Sequence, residues 1–354
     1  MRMGLLVIYG SNWSAFSHNL RLSLEILVAN MGHGDCTGIF RPRKSLIVDF
    51  GTKGVKKYAK EAAYVEYLTS TKNERKLIVS HYHSDHYSLL RRLSTGYFHE
   101  SYLPALPPET SVGRAVLEAI TLFITLRYRR YFLIPEILRT SRRIIPLIRG
   151  NRFTAADFDW EVMWPDYRVL EQIGRVCNMV RRLRAKISRI RDGLSEQQRR
   201  RFDEIYGKLS ISFAREGVAN HRKSMEEEYT MEEDEPYDSI ENENLWHPLE
   251  EIEDEFRTLA NYTTLIVRNT FFLFMGDVDD KVLNDFVRLN DQPYLFVKAS
   301  HHGKCYGRGL NSLSTVVLAV SRDGRTKIHR GYFHRMKWNI LIDTARHRTC
   351  SIIL

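Results

Sequence analysis

The sequence predicts an α/β fold, on two observations. Short apolar runs recur along the chain, among them "LEILVA", "SLIVDF", "RKLIVS", "DWEVMWP" and "STVVLAVS", each too short for a helix and closed by a turn or charged segment. Between them lie stretches with helical periodicity, such as "GVKKYAKEAAYVEYLTS", whose lysines fall on one side. Alternating short strands and helices are the pattern of an α/β protein.

From Leu22 to Gly51 the pattern is strand, loop, strand, with the helical stretch and "RKLIVS" following. Residues 108–150 read as helical and Arg-rich. Arg127, Arg129, Arg130, Arg142 and Arg143 are interleaved there with Tyr128, Tyr131 and Phe132. Arginine beside aromatics can hold phosphate and stack on bases, which makes these candidate nucleic-acid contacts. An amphipathic helix with its arginines in water gives the same pattern. "DWEVMWP" reads as a strand ending at Pro165. Residues 166–258 then leave the strand rhythm. They read as a basic helical hairpin broken near Asp192-Gly193, followed by an acidic tract. Strands return in "YTTLIVRNTFFLFMGDVDD", "YLFVKASHHGK", "STVVLAVS" and "CSIIL". The organisation expected is one domain, with a core of about 22–165 and 259–354 and an insertion at 166–258.

At 354 residues the chain has ample length for a core. Hydrophobic residues at 43% and charged residues at 27% are ordinary for a soluble globular protein. Cys36, Cys177, Cys305 and Cys350 are scattered without C-x-x-C spacing, which argues against a disulfide framework and fits a reducing cytoplasm. The N-terminal apolar run is too short for a signal peptide, and "AVLEAITLFITL" is too short to span a bilayer, so no membrane insertion is expected. Net charge is +10, but residues 226–255 hold 15 acidic residues and no Lys or Arg. Outside that stretch 53 basic residues face 28 acidic ones, a surplus of +25. Such a surplus points to a polyanionic partner, most simply nucleic acid.

One stretch carries the chemistry. In "KLIVSHYHSDHYSLL", three of the chain's 13 histidines and an aspartate follow directly on an apolar strand. Alternate residues of an extended segment share a face, so His81 and His83 can grip one ion. Asp85 and His86 lie just past them, where the chain turns, and can face a second. Neutral imidazole and carboxylate suit Zn²⁺ and its neighbours. Two further polar sites also close apolar strands: "FFLFMGD", ending at Asp277, and "LFVKASHHG", with His301-His302. Three such sites in this order point to one converging centre.

The chain here resembles the metallo-β-lactamase superfamily, with "HYHSDH" matching its H-x-H-x-D-H signature. It is most similar to the hydrolase domain of ComEC-type competence proteins and their stand-alone relatives, through "MGHGD", "LIVDFG", "HYHSDH", "TTLIVRNTFFLFMGD" and "KASHHGK" in that order. The likeness covers about residues 22–103, 152–166 and 259–354. It implies a four-layer αββα sandwich with metals at one edge of its two sheets. By the same likeness His81 and His83 bind one ion, Asp85, His86 and His302 the other, and Asp277 bridges them. Asp49 supports the ligands from beneath. Two divalent ions are implied, Zn first, with Mn or Fe as alternatives. The superfamily usually supplies one more histidine to the first ion. Here the remaining candidates are His99, His221 and His247, and without His247 the first site is incomplete.

Two ions would activate a water, with Asp85 orienting it and His301 donating a proton or contacting an oxyanion. The expected function is a phosphodiesterase or nuclease acting on nucleic acid, DNA before RNA. A hydrolase of a small substrate (cyclic nucleotide, phosphocholine ester or lactone) is one alternative. A non-catalytic, metal-stabilised regulatory module that recruits a protein partner through 166–258 is another. The insertion is expected to protrude over one edge of the core. Its basic helix, Arg175 to Arg201, would hold nucleic acid, and a mobile acidic tract would compete for the same charges.

Overall fold

The computed structural model describes residues 4–7, 24–128, 131, 133–214 and 246–353. Two mixed sheets dominate the described residues. The first runs in the order β1 (Gly4–Val7), β15 (Cys350–Ile353), β2 (Glu25–Val28), β3 (Thr37–Phe40), β4 (Lys44–Val48), β5 (Glu74–Ile78), β6 (Glu100–Pro104), β7 (Ile144–Leu147). The second runs β14 (Lys337–Asp343), β13 (Ser314–Val320), β12 (Tyr294–Lys298), β11 (Phe272–Phe274), β10 (Ile266–Arg268), β9 (Phe158–Trp164), β8 (Arg152–Ala155). Strands β4 to β7 are mutually parallel, as are β11 to β14, so the loops leaving their C-terminal ends gather on one side of each sheet.

Burial follows the two-residue period of a strand. Ile26, Val28, Leu46, Val48 and Ile78 of the first sheet share one buried cluster with Phe272, Phe274, Val317 and Ala319 of the second. Their neighbours Leu27, Ile47, Leu77, Leu273 and Leu318 belong to another cluster, which also holds the buried faces of the helices. Each sheet therefore has both faces covered.

The helices are α1 (Ala59–Ser70), α2 (Ser111–Thr125), α3 (Pro135–Arg139), α4 (Tyr167–Leu170), α5 (Gly174–Asp192), α6 (Glu196–Phe213), α7 (Trp246–Tyr262) and α8 (Asp280–Asp285), with two single turns near the C-terminus. From Val112 to Thr125 all but two residues of α2 are buried, a pattern that requires cover on every side. The cover comes from α5, α6 and α7, which pack on α2 and place Val176, Leu183, Ile205, Leu209, Ile252 and Phe256 in the same cluster. The expected protrusion is thus corrected. The helical part of 166–258 is a packed layer of the core, and α7 runs through the expected boundary at 259. The break between α5 and α6 falls at Gly193 to Ser195, where Ser195 caps α6 through a reciprocal bond with Gln198.

The basic face of α5 is largely paired. Arg182 binds Glu255 of α7 through two hydrogen bonds, Arg184 meets Glu118 of α2, Lys186 meets Glu251, and Arg191 meets Asp203. The described end of the acidic stretch is therefore a helix that pairs with the basic one. The tract before it, with His221, lies outside the described residues. Strands β1, β3, β6, β7, β8 and β14 are additional to those expected, and β7 corrects the helical reading of the end of 108–150. Among the described residues no helix is long and apolar enough to cross a membrane.

Candidate metal centre

The centre is assembled from chain segments that leave β4, β5, β11 and β12. His81 and His83 follow β5, and a tight turn at Ser84–His86 brings Asp85 and His86 back to them. Asp277 follows β11, directly after Gly276, whose φ is +50°. A Cβ at Gly276 would lie 2.3 Å from Thr264 Oγ1, so the turn requires glycine. His301 and His302 follow β12 with φ of 47° and 54°. Two successive side-chain-bearing residues in the left-handed region are held there only by their surroundings, the kind of local strain that collects at functional sites.

The six expected ligands come together. Asp277 Oδ2 lies 3.8 Å from His81 Nε2, 3.6 Å from His86 Nε2 and 3.7 Å from His302 Nε2. His302 Nε2 is also 3.9 Å from Asp85 Oδ2. Donor atoms of His81, His83 and Asp277 form one close group, and those of His86, Asp277 and His302 form another. Two ligands each about 2.0–2.2 Å from a tetrahedral ion stand roughly 3.4 Å apart, so these spacings are near what an ion needs.

The ring nitrogens are divided in one consistent way. His86 Nδ1 lies 2.9 Å from Asp49 Oδ2, and His302 Nδ1 lies 3.0 Å from the Ser321 carbonyl. His81 Nδ1 is 3.1 Å from Ser80 Oγ, which itself donates to Asp49 at 2.8 Å. Each of these rings has its Nδ1–H tethered. The opposite atoms, Nε2 of His81, His86 and His302, are buried without any hydrogen-bond partner. His83 is reversed: its Nε2 donates to the Arg257 carbonyl at 3.0 Å, which leaves Nδ1 bare. Buried polar atoms are normally paired, and an orphan costs about 1–3 kcal/mol. Three converging orphans, each on a ring tethered at its other nitrogen, match how metal-ligating histidines are held. The residues present fit a divalent metal centre.

The electrostatics agree. Burial lowers the pKa of His83 to about 3, and it takes His81 well below the usual histidine range. Both are neutral, as a ligand must be. Burial works against ionised Asp277, but His302, His301 and His86 outweigh it and hold this carboxyl well below the usual range. At His86 burial also opposes charge, yet the Asp49 and Asp277 carboxylates raise its pKa well above normal. A metal ligand at this position would give up that Nε2 proton on binding.

Other expected residues lie elsewhere. His247 does not join the centre: its side chain is 84% exposed and faces Glu251. It sits in the first turn of α7, at the opposite end of the helix from the carbonyl that binds His83. His99 sits at the start of β6, where its Nδ1 accepts from the Arg75 amide. Arg142 and Arg143 precede β7, at the ends of the parallel strands opposite the centre, and Arg143 pairs with Glu100. Tyr128 and Tyr131 are buried with their hydroxyls on Glu253, so they offer no surface to bases. Among the described residues the Arg/aromatic reading is corrected at these four: Tyr128 and Tyr131 are core, and Arg142 and Arg143 lie at the far edge. Arg127 is exposed at the end of α2, and Arg129 and Arg130 lie outside the described residues.

Residues that sequence reasoning missed complete the surroundings. His33 of "MGHGD" reaches in with Nε2 3.9 Å from Asp85 Oδ2, while its Nδ1 faces Asp323 at 3.6 Å. The histidine was legible within the quoted loop, but its carboxylate partner lies 290 positions later. Lys53 Nζ stands 3.6 Å from Asp85. A cavity of about 340 Å³ opens over the centre, lined in part by His33, Lys53, Arg257, Asn261, His301 and Lys304. A larger one of about 870 Å³ shares Lys53, His83, Asp85 and Arg257 and adds Lys56, Lys57 and Arg91. Asp35, from the same loop as His33, is ion-paired with buried Lys298 beneath the centre.

No protein-family profile matches the chain, and no curated protein matches it.

Proposed function

We propose that this chain is a two-metal hydrolase of phosphodiesters, built as a four-layer αββα sandwich of the metallo-β-lactamase type. The observation that carries the reading is the set of orphaned Nε2 atoms on His81, His86 and His302 around Asp277. Zn²⁺ is the first candidate for both positions, with Mn²⁺ or Fe²⁺ next. Divalent ions held by these residues supply Lewis acidity toward a water and toward a phosphoryl oxygen.

The chain's own groups do the rest. Asp85 is buried, which opposes its charge, yet His86 and Lys53 hold it ionised well below the usual carboxylate range, so it orients the attacking water rather than taking its proton. His301 keeps 25% of its side chain exposed, the most open ring of the expected set in the cavity. Burial lowers its pKa, so at neutral pH it is uncharged. It therefore serves as an N–H donor to a developing oxyanion and not as an imidazolium acid. Lys53, Arg257 and Lys304 on the cavity wall suit an anionic substrate.

Nucleic acid is the first substrate, DNA before RNA, on the +25 surplus outside residues 226–255. A small phosphodiester such as a cyclic nucleotide is the second reading, favoured by α7 leaning over the centre and by a cavity of about 340 Å³. The test is the purified chain with Zn²⁺, Mn²⁺ or Mg²⁺, offered plasmid, single-stranded DNA, RNA, a cyclic nucleotide and a generic phosphodiester. Metal-dependent turnover that Asp85→Ala abolishes, in a protein that still folds, is expected. Turnover retained by a folded Asp85→Ala protein would place the chemistry elsewhere. A steep salt dependence of binding would select nucleic acid, and a flat one the small substrate.

A further inference from the structure

An ion held by His81 and His83 would have two imidazoles and the shared Asp277 carboxylate, one protein donor short of a closed tetrahedral set. The structure offers a donor in an unexpected place, the last turn of α7. Asn261 lines the same cavity as His83, Asp277 and His301. Its side-chain carbonyl Oδ1 is buried and has no hydrogen-bond partner. That is the condition of the imidazole Nε2 atoms around Asp277.

The backbone holds this turn against the centre on both sides. One turn earlier, the Arg257 carbonyl receives the Nε2–H of His83 at 3.0 Å, and residues four apart share a helix face. Directly after Asn261, the Tyr262 carbonyl accepts from Trp164 Nε1 at 2.6 Å. Leu265 N then donates to the Ser80 carbonyl at 2.7 Å, and Thr264 Oγ1 accepts from the Asp277 amide at 3.2 Å. Asn261 is thus pinned between the segments that carry His81, His83 and Asp277.

We propose that Asn261 Oδ1 is the remaining protein donor to the ion held by His81, His83 and Asp277. The proposal rests on the metal-hydrolase reading above and deepens it. An amide carbonyl is a neutral, hard oxygen donor, and such ligands suit Mn²⁺ or Mg²⁺ better than an added imidazole or thiolate would. The first position therefore binds more weakly than the second and accepts Mn²⁺ more readily.

The test is chelator-competition titration of the full chain with Zn²⁺ and Mn²⁺, with elemental analysis for stoichiometry and the visible spectrum of the Co²⁺ form. Wild type should bind two ions of unequal affinity. Asn261→Ala should weaken the looser ion by about 10–100-fold, alter the Co²⁺ spectrum and leave the tighter ion unchanged. Asn261→His should tighten Zn²⁺ relative to Mn²⁺ at that position. Asn261→Asp keeps the shape, adds charge and should bind at least as tightly as wild type, which decides the matter if the alanine variant folds poorly. Two ions bound by a folded Asn261→Ala protein with wild-type affinities and spectrum would overturn the proposal alone. A wild-type protein that binds no ion would overturn the hydrolase reading and this proposal with it.

Discussion

The two ends of the parallel strands β5 and β6 differ in how they treat their histidines. Where β5 begins, beside the start of β6, His99 is only half-buried and leaves no buried orphan: its Nδ1 accepts from the Arg75 amide, and its backbone amide donates to the Arg75 carbonyl. Past the end of β5, His81 and His86 each have one nitrogen tethered and the other buried with no partner. Both ends carry imidazole close to charged groups. Only one leaves donor atoms unpaid, in a protein that pairs most of its buried polar atoms. The difference shows that the accounting of ring nitrogens, more than the number of histidines, separates a ligand from a structural residue.

The comparison is broken most sharply by Asp277→Ala against His99→Ala. Asp277 touches the bare nitrogens of three rings, so its loss should remove metal binding and turnover together. His99→Ala should leave metal stoichiometry unchanged and cost only stability. Equal metal loss in the two variants, read by elemental analysis after dialysis, would erase the distinction between the ends.

Asp49→Asn gives a smaller effect. Asp49 accepts from Ser80 N at 2.7 Å, from Ser80 Oγ at 2.8 Å and from His86 Nδ1 at 2.9 Å. An amide there presents an N–H to His86 Nδ1 and favours the tautomer with the proton on Nε2, which closes the ligand atom. Metal affinity should fall about 10–100-fold with the fold retained. Unchanged affinity would mean the tether does not set the tautomer.

The smallest effect concerns the helix layer over the centre. The Arg182 guanidinium holds the Glu255 carboxyl below its usual range, first through its hydrogen bond and then through charge. A depressed carboxyl pKa contributes stability above the unfolded value, and that contribution disappears as pH falls through the folded value. Glu255→Gln should therefore lower thermal stability slightly at neutral pH and not at all in strong acid. The pair is partly exposed, so high salt should shrink the difference too. A loss that persists in acid would assign the effect to packing.

Much of the centre was legible because the sequence writes it compactly. His81, His83, Asp85 and His86 sit in one motif, and Asp277 and His301-His302 each close a strongly apolar strand. Helix α7 was hidden by its composition. Glu250, Glu251, Glu253, Asp254 and Glu255 read as an acidic tract, while Leu249, Ile252, Phe256, Leu259 and Ala260 form the buried stripe that docks it. The insertion looked detachable because its partner α2 had to be known to be buried all round. Arg142 and Arg143 misled because spacing does not say at which end of a parallel strand a residue lies. Strand β14 was missed because its first residues, Lys337 to Leu341, are partly or fully exposed and lie at a sheet edge.

The central claim is that the orphaned imidazoles exist to hold two ions. Anomalous diffraction from crystals of the full chain grown with Zn²⁺ or Mn²⁺ tests it most directly. Two peaks about 3.5–4 Å apart are expected. One should lie within about 2.0–2.2 Å of His81 and His83, the other equally close to His86 and His302, and Asp277 should touch both. No peak at these residues, with their Nε2 atoms paired to protein groups or water instead, would contradict it.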